Sequence, residues 1–275
     1  MWRSAGGAPL PEGLAIAVEE SGFRRLWLGG AAAELTNAEQ ALAETENLWL
    51  ASGIVNIWGE DAHTTAASYH RLEERYPGRF VLGIGTGHPE RFEQYTKPYE
   101  SIQHYLDALD EDGVPEERRV LAALGPRVMK LAAARSAGAH PYLTTPEHTA
   151  EARRTLGPGK LLVPEQTVVL TADPDQARAI ARPWLARYLG YVNYCNNWRR
   201  LGFTDEDLAG GGSSRLVDAL IAHGTADEIA ARAGAHIDAG ADEVCVQVLS
   251  ESSDIRPEVH ALGDALNRWE AARAR

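Results

Sequence analysis

The sequence predicts an α/β protein built on a parallel sheet, and three observations support this fold class. Short β-rich runs alternate with helical stretches along the chain. Most of the β-rich runs are continuously apolar, as expected for strands that are covered on both faces. Helix start signals precede several of the intervening stretches. Because no linker, low-complexity tract or repeat divides the 275 residues, we predict a single domain over residues 1–275.

Seven runs predict the strands of this sheet. A doubly wound sheet accommodates seven strands, whereas a closed barrel needs eight. The only place for an eighth strand is the stub Met1–Ser4. In chain order the seven runs are Leu26–Gly29, Trp49–Asn56, Phe80–Gly85, Arg119–Leu124, Gly138–Tyr142, Thr167–Thr171 and Val244–Leu249.

The helices between the strands have sequence signals at their first residues. Asp173-Pro174 and Thr145-Pro146 each combine an N-cap residue with a proline in the first turn. Thr225 and Glu228 have the spacing of a capping box. The stretch 174–222 is long for one strand–helix unit. We therefore predict a helical insertion there that covers one end of the sheet, where substrate lids lie.

Charge and composition exclude several classes of protein. The formal net charge is −12 and no basic stripe occurs, which argues against nucleic-acid binding. No apolar run approaches the roughly 20 residues that span a bilayer, and the first residues do not resemble a signal peptide. We therefore expect a cytoplasmic protein without membrane contact. Cys195 and Cys245 fit no zinc or redox spacing and no metal-ligand motif occurs, so we expect free thiols and no metal site.

A glycine-rich stretch, G-I-G-T-G-H-P, ends the strand Phe80–Gly85 and continues beyond it. Its spacing misses the G-x-G-x-x-G dinucleotide pattern, and Pro89 interrupts any immediate helix. The stretch is either a tight turn or a place where a flat ligand approaches the backbone closely. His88 is either a loop residue or a general acid–base group, since the charge of histidine changes near neutral pH.

A second candidate site is Gly125-Pro126-Arg127, where a strand gives way to a helix. The free backbone N–H groups and the positive dipole end of such a helix can hold a phosphate. Arg127 and Lys130 would add positive charge. The alternative is an ordinary strand–helix junction.

Further candidates lie beside predicted strand ends. Gly53 interrupts a strand, which indicates either a bulge or a weak strand interior. His140 and Tyr142 either line a pocket or cap their strand, and Glu165 is either a solvated charge or a pocket group. The segment Y-V-N-Y-C-N-N-W has aromatic residues at a spacing typical of a helical core, whereas asparagines such as Asn193 are suited to a polar substrate.

Several long motifs occur in order along nearly the whole chain. Together they resemble the luciferase-like monooxygenase superfamily of flavin and deazaflavin oxidoreductases. More narrowly, they resemble an actinobacterial subgroup that is predicted to use coenzyme F420. The motifs are G-R-F-V-L-G-I-G-T-G-H-P-E, V-L-A-A-L-G-P-R-V-M-K-L-A-A, G-A-H-P-Y-L-T-T-P-E-H-T, N-N-W-R-R-L-G-F-T-D-E-D-L-A-G-G-G-S and G-A-D-E-V-C-V-Q-V-L.

The resemblance implies a (β/α)8 TIM barrel with an insertion after strand 7, a homodimer, and a cofactor ring at the carboxyl edge of the barrel. It also implies a cis peptide bond at Gly53–Ile54 and phosphate contacts at Gly125-Pro126-Arg127. Sugar-phosphate dehydrogenase relatives have a catalytic glutamate where this chain has His88, which makes His88 the candidate catalytic residue. The candidate substrate residues are Glu165, Asn193 and Tyr194, and the cofactor residues are Gly53, Ile54, Asn56, Gly85, Thr86, Gly87, Gly125, Pro126, Arg127, His140 and Tyr142.

The chain departs from this family pattern at two places. Relatives carry a histidine at the end of strand 2 that acts in the hydride step, and this chain has Gly29-Gly30 there. The family's first strand also begins upstream of the position that matches Met1. We therefore expect a misassigned start codon, a truncated strand 1 and a barrel that is open between strands 2 and 8.

Three functions remain open at this point. The first is an F420-dependent oxidoreductase that moves a hydride between the deazaflavin and a small organic substrate. The second is an FMN-dependent monooxygenase on the same fold. The third is a non-catalytic cofactor-binding paralogue, which the missing strand-2 histidine favours.

Overall fold

A computed structural model describes residues 1–4, 9–93 and 95–274. Within these ranges the strands form one curled, entirely parallel sheet with the order β10-β9-β11-β1-β2-β3-β5-β6-β7-β8, and β4 pairs with β5. The α/β class and the parallel sheet are confirmed. The strands are β1 Trp2–Ser4, β2 Arg25–Gly29, β3 Trp49–Ser52, β4 Val55–Asn56, β5 Phe80–Gly85, β6 Arg119–Leu121, β7 Gly138–Ala139, β8 Leu161–Leu162, β9 Glu165–Val169, β10 Ile221–His223 and β11 Cys245–Val248.

Helices connect the strands and cover one face of the sheet. Two of the three predicted helix starts are capped as expected: Asp173 accepts hydrogen bonds from two backbone N–H groups, and Thr225 forms its capping box with Glu228. Thr145 precedes its helix without a side-chain cap. The helices are α1 Leu14–Glu20, α2 Thr36–Glu44, α3 Ala62–Arg75, α4 Pro98–Glu111, α5 Pro126–Arg135, α6 Pro146–Leu156, α7 Pro174–Leu189, α8 Val192–Arg200, α9 Asp205–Leu208, α10 Ser214–Leu220, α11 Ala226–Asp238 and α12 Arg256–Arg273.

The short strand β1 joins its two neighbours, so the expected gap between strands 2 and 8 is wrong. Trp2 is the register partner of Trp27 in β2 and of Gln247 in β11. Three consecutive residues pair with β2, which is enough to place β1 between the two longer strands. β1 therefore links β2 to β11.

The sequence prediction missed two strands for identifiable reasons. β10 follows α10 directly, so its apolar residues read as a continuation of the helix. It pairs in parallel with β9, from Ile221↔Thr167 to His223↔Val169. β8 is separated from β9 only by residues 163–164, and Pro164 has no N–H to donate to a sheet. The predicted strand at Thr167–Thr171 accordingly begins two residues earlier, at Glu165.

The two faces of the sheet carry different sets of buried side chains. One face packs on the helices through residues such as Leu26, Leu50 and Leu82. The concave face is lined by a separate cluster in which Trp27, Ala51 and Val81 are successive register partners. The remaining buried members of that cluster are Trp2, Val120, Val163 and Cys245. The interior of the curled sheet is therefore packed with side chains, and ligand access is from its edges.

Candidate active site

The predicted site residues gather at one edge of the sheet. In a parallel sheet the carboxyl ends of all strands share an edge, and ligands bind there. Gly53 follows β3, His88 lies beyond β5, Gly125 follows β6 and His140 follows β7. Helices α7 to α10 come between β9 and β10 and form their own buried cluster, which includes Tyr142 and Leu249 at its margin.

His88 is held by residues of α8 and of the turn before it. Its Nδ1 lies 3.2 Å from Asn193 Oδ1. Its ring stacks on Tyr191, with ring centroids 4.1 Å apart and planes 8° from parallel, and the ring of Tyr194 lies 5.3 Å away. Glu90, two residues along, accepts a hydrogen bond of 2.9 Å from the backbone N–H of Val192. The predicted residues His88, Asn193 and Tyr194 are therefore brought together.

The protonation state of His88 follows from this environment. Burial lowers the pKa of His88, against a smaller raising effect of the hydrogen bond with Asn193. The imidazole is consequently neutral at pH 7. With Asn193 Oδ1 as acceptor, Nδ1 carries the proton and Nε2 keeps a lone pair, so Nε2 is suited to accept a proton.

Glu165 is completely buried, so its interpretation as a solvated charge is wrong. Its Oε2 accepts a 3.0 Å hydrogen bond from the N–H of Leu143, and its Oε1 accepts a 2.5 Å bond from the hydroxyl of Thr167. Burial raises the pKa of Glu165 to about 8, although both hydrogen bonds act in the opposite direction. The carboxyl group therefore keeps its proton at neutral pH.

Aromatic side chains extend from Gln247 to the surroundings of His88 across the edge of the sheet. The hydroxyl of Tyr142 donates to Gln247 Oε1 at 2.6 Å, and the hydroxyl of Tyr188 donates to that of Tyr142 at 3.2 Å. Tyr188 in turn packs edge-on against Tyr194 and Tyr191. Burial strongly raises the pKa values of Tyr142 and Tyr194, so both stay protonated and act as neutral hydrogen-bonding groups.

The peptide bond Gly53–Ile54 is cis, as the resemblance implied. Two buried ring nitrogens lie next to it. A Cβ atom at Gly53 would be 2.9 Å from Trp2 Nε1 and 3.4 Å from His140 Nε2. Neither nitrogen has a hydrogen-bond partner within the described part of the chain.

The orientation of His140 is set by its other ring nitrogen. Nδ1 lies 2.7 Å from the carbonyl oxygen of Val163, and the ring stacks on Trp27 at 4.1 Å. Since a carbonyl only accepts, Nδ1 donates and Nε2 has a free lone pair. Burial lowers the pKa of His140 to about 4, so the ring is neutral. Trp2 thus offers a donor and His140 an acceptor beside Gly53.

The glycines at the end of β5 and in the loop after it lie close to other side chains of this chain, and Gly87 has a φ of 58°, in the left-handed region. A Cβ atom at Gly85 would lie 2.6 Å from Ile54 Cδ1, and one at Gly87 would lie 2.3 Å from Asn56 Nδ2. Between them, the carbonyl of Thr86 accepts a 2.7 Å hydrogen bond from the indole of Trp58. The contact of these glycines with a flat ligand stays a prediction.

The start of α5 has the features expected of an anion site. α5 begins at Pro126, its N-cap residue Gly125 makes no side-chain cap, and a Cβ atom at Gly125 would meet nothing within 4 Å. The guanidinium of the exposed Arg127 lies 3.8 Å from the ring centroid of Tyr99. The start of α5 is therefore open on the side of Gly125, and anion binding by its N–H groups stays a prediction.

Trp2 is the site residue that sequence reasoning overlooked. A Cβ atom at Gly29 would lie only 2.1 Å from Trp2 Cζ2. The indole therefore fills the space in front of the position where relatives carry the strand-2 histidine. Gln247 was overlooked as well, although an amide side chain within the apolar run V-C-V-Q-V-L indicates a buried polar group.

Cys195 and Cys245 are free thiols, and burial raises the pKa of Cys245 to about 12. In residues 1–4, 9–93 and 95–274, no group of three or more histidine, cysteine or acidic residues could hold a metal ion. Over the same ranges, no helix has the length and apolar character needed to cross a membrane.

Comparison with known proteins gives a sequence match and a curated relative. The family model of the luciferase-like monooxygenases matches residues 11–111. The N-acetyl-S-alkylcysteine monooxygenase of Bacillus subtilis (strain 168) is 31% identical over 134 residues, which is 42% of this chain. The match spans only 39% of that relative's length.

Solved structures share the fold over nearly the whole chain. The coenzyme F420-dependent tetrahydromethanopterin reductase of Methanopyrus kandleri matches with a TM-score of 0.76, 15% identity and 98% coverage of both chains. An F420-dependent secondary alcohol dehydrogenase in complex with an F420-acetone adduct matches with a TM-score of 0.72, 14% identity and 92% coverage of both chains. The oxygenating constituent of 3,6-diketocamphane monooxygenase from Pseudomonas putida, in complex with FMN, matches with a TM-score of 0.62 and 16% identity. The match covers 90% of this chain and 88% of that one. At these identities the likeness shows the fold.

Proposed function

We propose that this chain, whose residues 11–111 match the family model of the luciferase-like monooxygenases, is an F420-dependent oxidoreductase that transfers a hydride between the deazaflavin and a small organic substrate. The proposal includes a homodimer and a closed eight-stranded barrel. In that barrel, β8 and β9 count as one strand and β3 and β4 as another, and β10 is an additional strand beside β9. Residues 174–222 are the insertion after strand 7. The order of the pairings from β1 through β8 supports this arrangement.

The observation that carries the proposal is the pair of unsatisfied nitrogens beside Gly53. Leaving a buried polar atom without a hydrogen bond costs about 1–3 kcal/mol, so such atoms usually face a ligand or an ordered water. Trp2 Nε1 donates and His140 Nε2 accepts. Flavins and deazaflavins have carbonyl oxygens and an N–H on the edge of their ring system, which matches one donor and one acceptor.

The phosphate of the cofactor would be held at the start of α5. Gly125 leaves the backbone N–H groups open, and Arg127 adds a positive charge at the same turn. When bound, F420 supplies the hydride chemistry, and the protein orients the reactants and handles protons. The remaining predicted contacts, at Ile54, Asn56 and the loop 85–87, belong to this proposal.

Two groups of the site would divide the proton handling. His88 is neutral and offers Nε2 as a proton acceptor. Glu165 keeps its proton up to a pKa of about 8 and would act as a neutral hydrogen-bonding group near Tyr142. The environment thus lowers the pKa of His88 and raises that of Glu165. Two titratable groups whose pKa values are shifted in opposite directions are typical of acid–base sites.

An FMN-dependent monooxygenase is the second candidate function. The curated relative with 31% identity is named as a monooxygenase, and a structural neighbour was solved with FMN. The non-catalytic alternative is supported by Trp2, which fills the space at Gly29.

Titration of the purified protein with F420 and with FMN, followed by ligand fluorescence, tests the proposal. We expect micromolar affinity for F420 and negligible binding of FMN. The reverse result would establish the second candidate, and no binding of either cofactor would falsify both enzyme functions. Binding of F420 without turnover on any substrate panel would support the non-catalytic alternative.

A variant at the start of α5 links the titration to this site. Gly125→Ala adds a methyl group where no protein atom lies within 4 Å, at an ordinary φ of −89°. We expect its melting temperature to match that of the wild type and its F420 affinity to fall about tenfold or more, because the methyl group occupies the approach of the phosphate. Unchanged F420 affinity would remove this turn from the site.

A further inference from the structure

A cavity of about 350 Å³ lies at the carboxyl edge of the sheet, beside β1 and β11. One wall is a single face of α7, formed by Ile180, Pro183, Trp184 and Arg187 at helical spacing. The opposite wall is β1 together with the segment that follows β11. The volume is within the usual range of small-molecule sites, about 300–1,000 Å³.

The charge of this cavity is opposite to that of the whole chain. Its lining includes two guanidinium groups, those of Arg3 and Arg187, and no aspartate or glutamate, although the chain has a net charge of −12. Among the described residues, neither guanidinium has a carboxylate within 4 Å. Arg178, on the same helix, is instead paired with Asp218 at 2.7 Å. The two cavity arginines are therefore available to an external anion.

Further donors and apolar groups complete the lining. The indole N–H of Trp184 is buried and has no hydrogen-bond partner in the described part of the chain. The guanidinium of Arg187 lies 4.9 Å from the ring centroid of Trp184, which orders it. Ile180, Leu249 and Ile255 contribute hydrocarbon surface. Guanidinium and N–H donors beside apolar walls suit a carboxylate attached to an apolar body.

The cavity adjoins the proposed active site, because two residues contact both. Trp2 lines the cavity and also borders Gly53. Gln247 lines the cavity and accepts the hydrogen bond of Tyr142. We infer that the cavity binds a small organic acid, with its carboxylate on Arg3 and Arg187 and its apolar body directed towards Trp2 and Gln247. This inference rests on the proposed function where it names the substrate class, and its binding test needs no cofactor.

The test compares two probes of the same shape and different charge. Phenylacetate and phenylacetamide are titrated into the cofactor-free protein, and the tryptophan fluorescence is recorded. We expect saturable binding of phenylacetate and at least about tenfold weaker binding of phenylacetamide, since hydrogen bonds to charged groups contribute about 1.5–3 kcal/mol. Equal affinities, or no saturable change with phenylacetate, would overturn the inference.

Matched arginine variants locate the binding. Arg187→Gln and Arg3→Gln should each weaken phenylacetate binding about tenfold. Arg182→Gln is the control, because Arg182 is on the same helix, donates to Ser214 and does not line the cavity. An equal loss in the control would mean that only the general charge of the helix matters. Displacement of phenylacetate by an equal concentration of inorganic phosphate would indicate a general anion site and would also overturn the inference.

The outcome is separable from that of the cofactor titration. Phenylacetate binding without F420 binding supports the cavity and removes the proposed oxidoreductase. F420 binding without phenylacetate binding supports the proposed oxidoreductase and overturns the organic-acid site. Melting temperatures of all three arginine variants check that any loss of binding is not a loss of fold.

Discussion

The two sides of the carboxyl edge differ in how their polar groups are satisfied. On the side of α8, His88 has Asn193 as a hydrogen-bond neighbour and Tyr191 as a stacking neighbour, and Glu165 has a donor on each oxygen. On the side of α7, Arg3 and Arg187 border an open cavity, and the indole N–H of Trp184 has no described partner. His88 and Glu165 on the α8 side are paired within the protein, although the buried Nδ2 of Asn197 on the same side has no described partner. The arginine and indole donors of the α7 side have no acceptor among the described residues.

This difference indicates a division of tasks within one edge. A satisfied network holds acid–base groups in fixed positions and shifts their pKa values, which is what proton transfer needs. Unpaired donors around a cavity supply binding energy and selectivity for an anion. Trp2 lies on the boundary, since it closes the interior against Gly29 and also lines the cavity.

The largest expected effect compares one tryptophan from each side. Trp198 is fully buried and its indole donates to the carbonyl of Leu143 at 3.3 Å, whereas Trp184 is only half-buried in the cavity wall. We expect Trp198→Ala to lower the free energy of unfolding by about 3–5 kcal/mol, because it leaves a large internal cavity. Trp184→Ala should cost about 1 kcal/mol or less.

Urea denaturation at one pH measures both variants, and each serves as the control for the other. Equal losses of stability would contradict the contrast between a packed side and an open one. A loss above about 3 kcal/mol in Trp184→Ala would mean that the cavity wall is as tightly packed as the α8 side.

The next effect concerns the buried carboxyl group of Glu165. The pKa of Glu165 is raised from 4.5 to about 8 by burial, so the folded protein binds more protons than the unfolded chain between these values. The contribution of this group to stability is therefore greatest below about pH 4.5 and falls as the pH rises towards 8. Glu165→Gln has no such proton, so it should gain stability relative to the wild type, by up to about 2 kcal/mol between pH 5.5 and 7.

Urea unfolding of the wild type and Glu165→Gln at several pH values measures this difference. Glu74→Gln, at an exposed position of α3, is the matched control and should track the wild type throughout. A difference between Glu165→Gln and the wild type that stays constant with pH would show that Glu165 is ionised in the folded protein.

The sequence predicted more residues on the side of α8 than on the side of α7. Local signals mark three of these residues. His88 follows a glycine-rich strand end, Asn193 lies among aromatic residues, and Gly53 interrupts an apolar strand. The burial of Glu165 has no local signal, because it depends on which strands lie on either side of β9. The same holds for Trp2, whose place is set by pairing with both β2 and β11, and for β10, whose residues continue the pattern of α10. Pairing between strands that are distant in the chain leaves no recognisable pattern in a single sequence.

The smallest effect tests whether Asn193 sets the protonation of His88. Burial lowers the pKa of His88, and the hydrogen bond with Asn193 opposes this only partly. Asn193→Asp replaces a neutral acceptor at 3.2 Å with a carboxylate, which favours the charged imidazolium, so the pKa of His88 should rise. NMR titration of the histidine Cε1–H signals measures it, with His88→Gln used to assign the resonance and Asn196→Asp, three residues further along α8, as the control. If the pKa of His88 were the same in Asn193→Asp as in the wild type, the hydrogen bond would not control the proton on this ring, and the α8 side would owe its shifted pKa to burial alone.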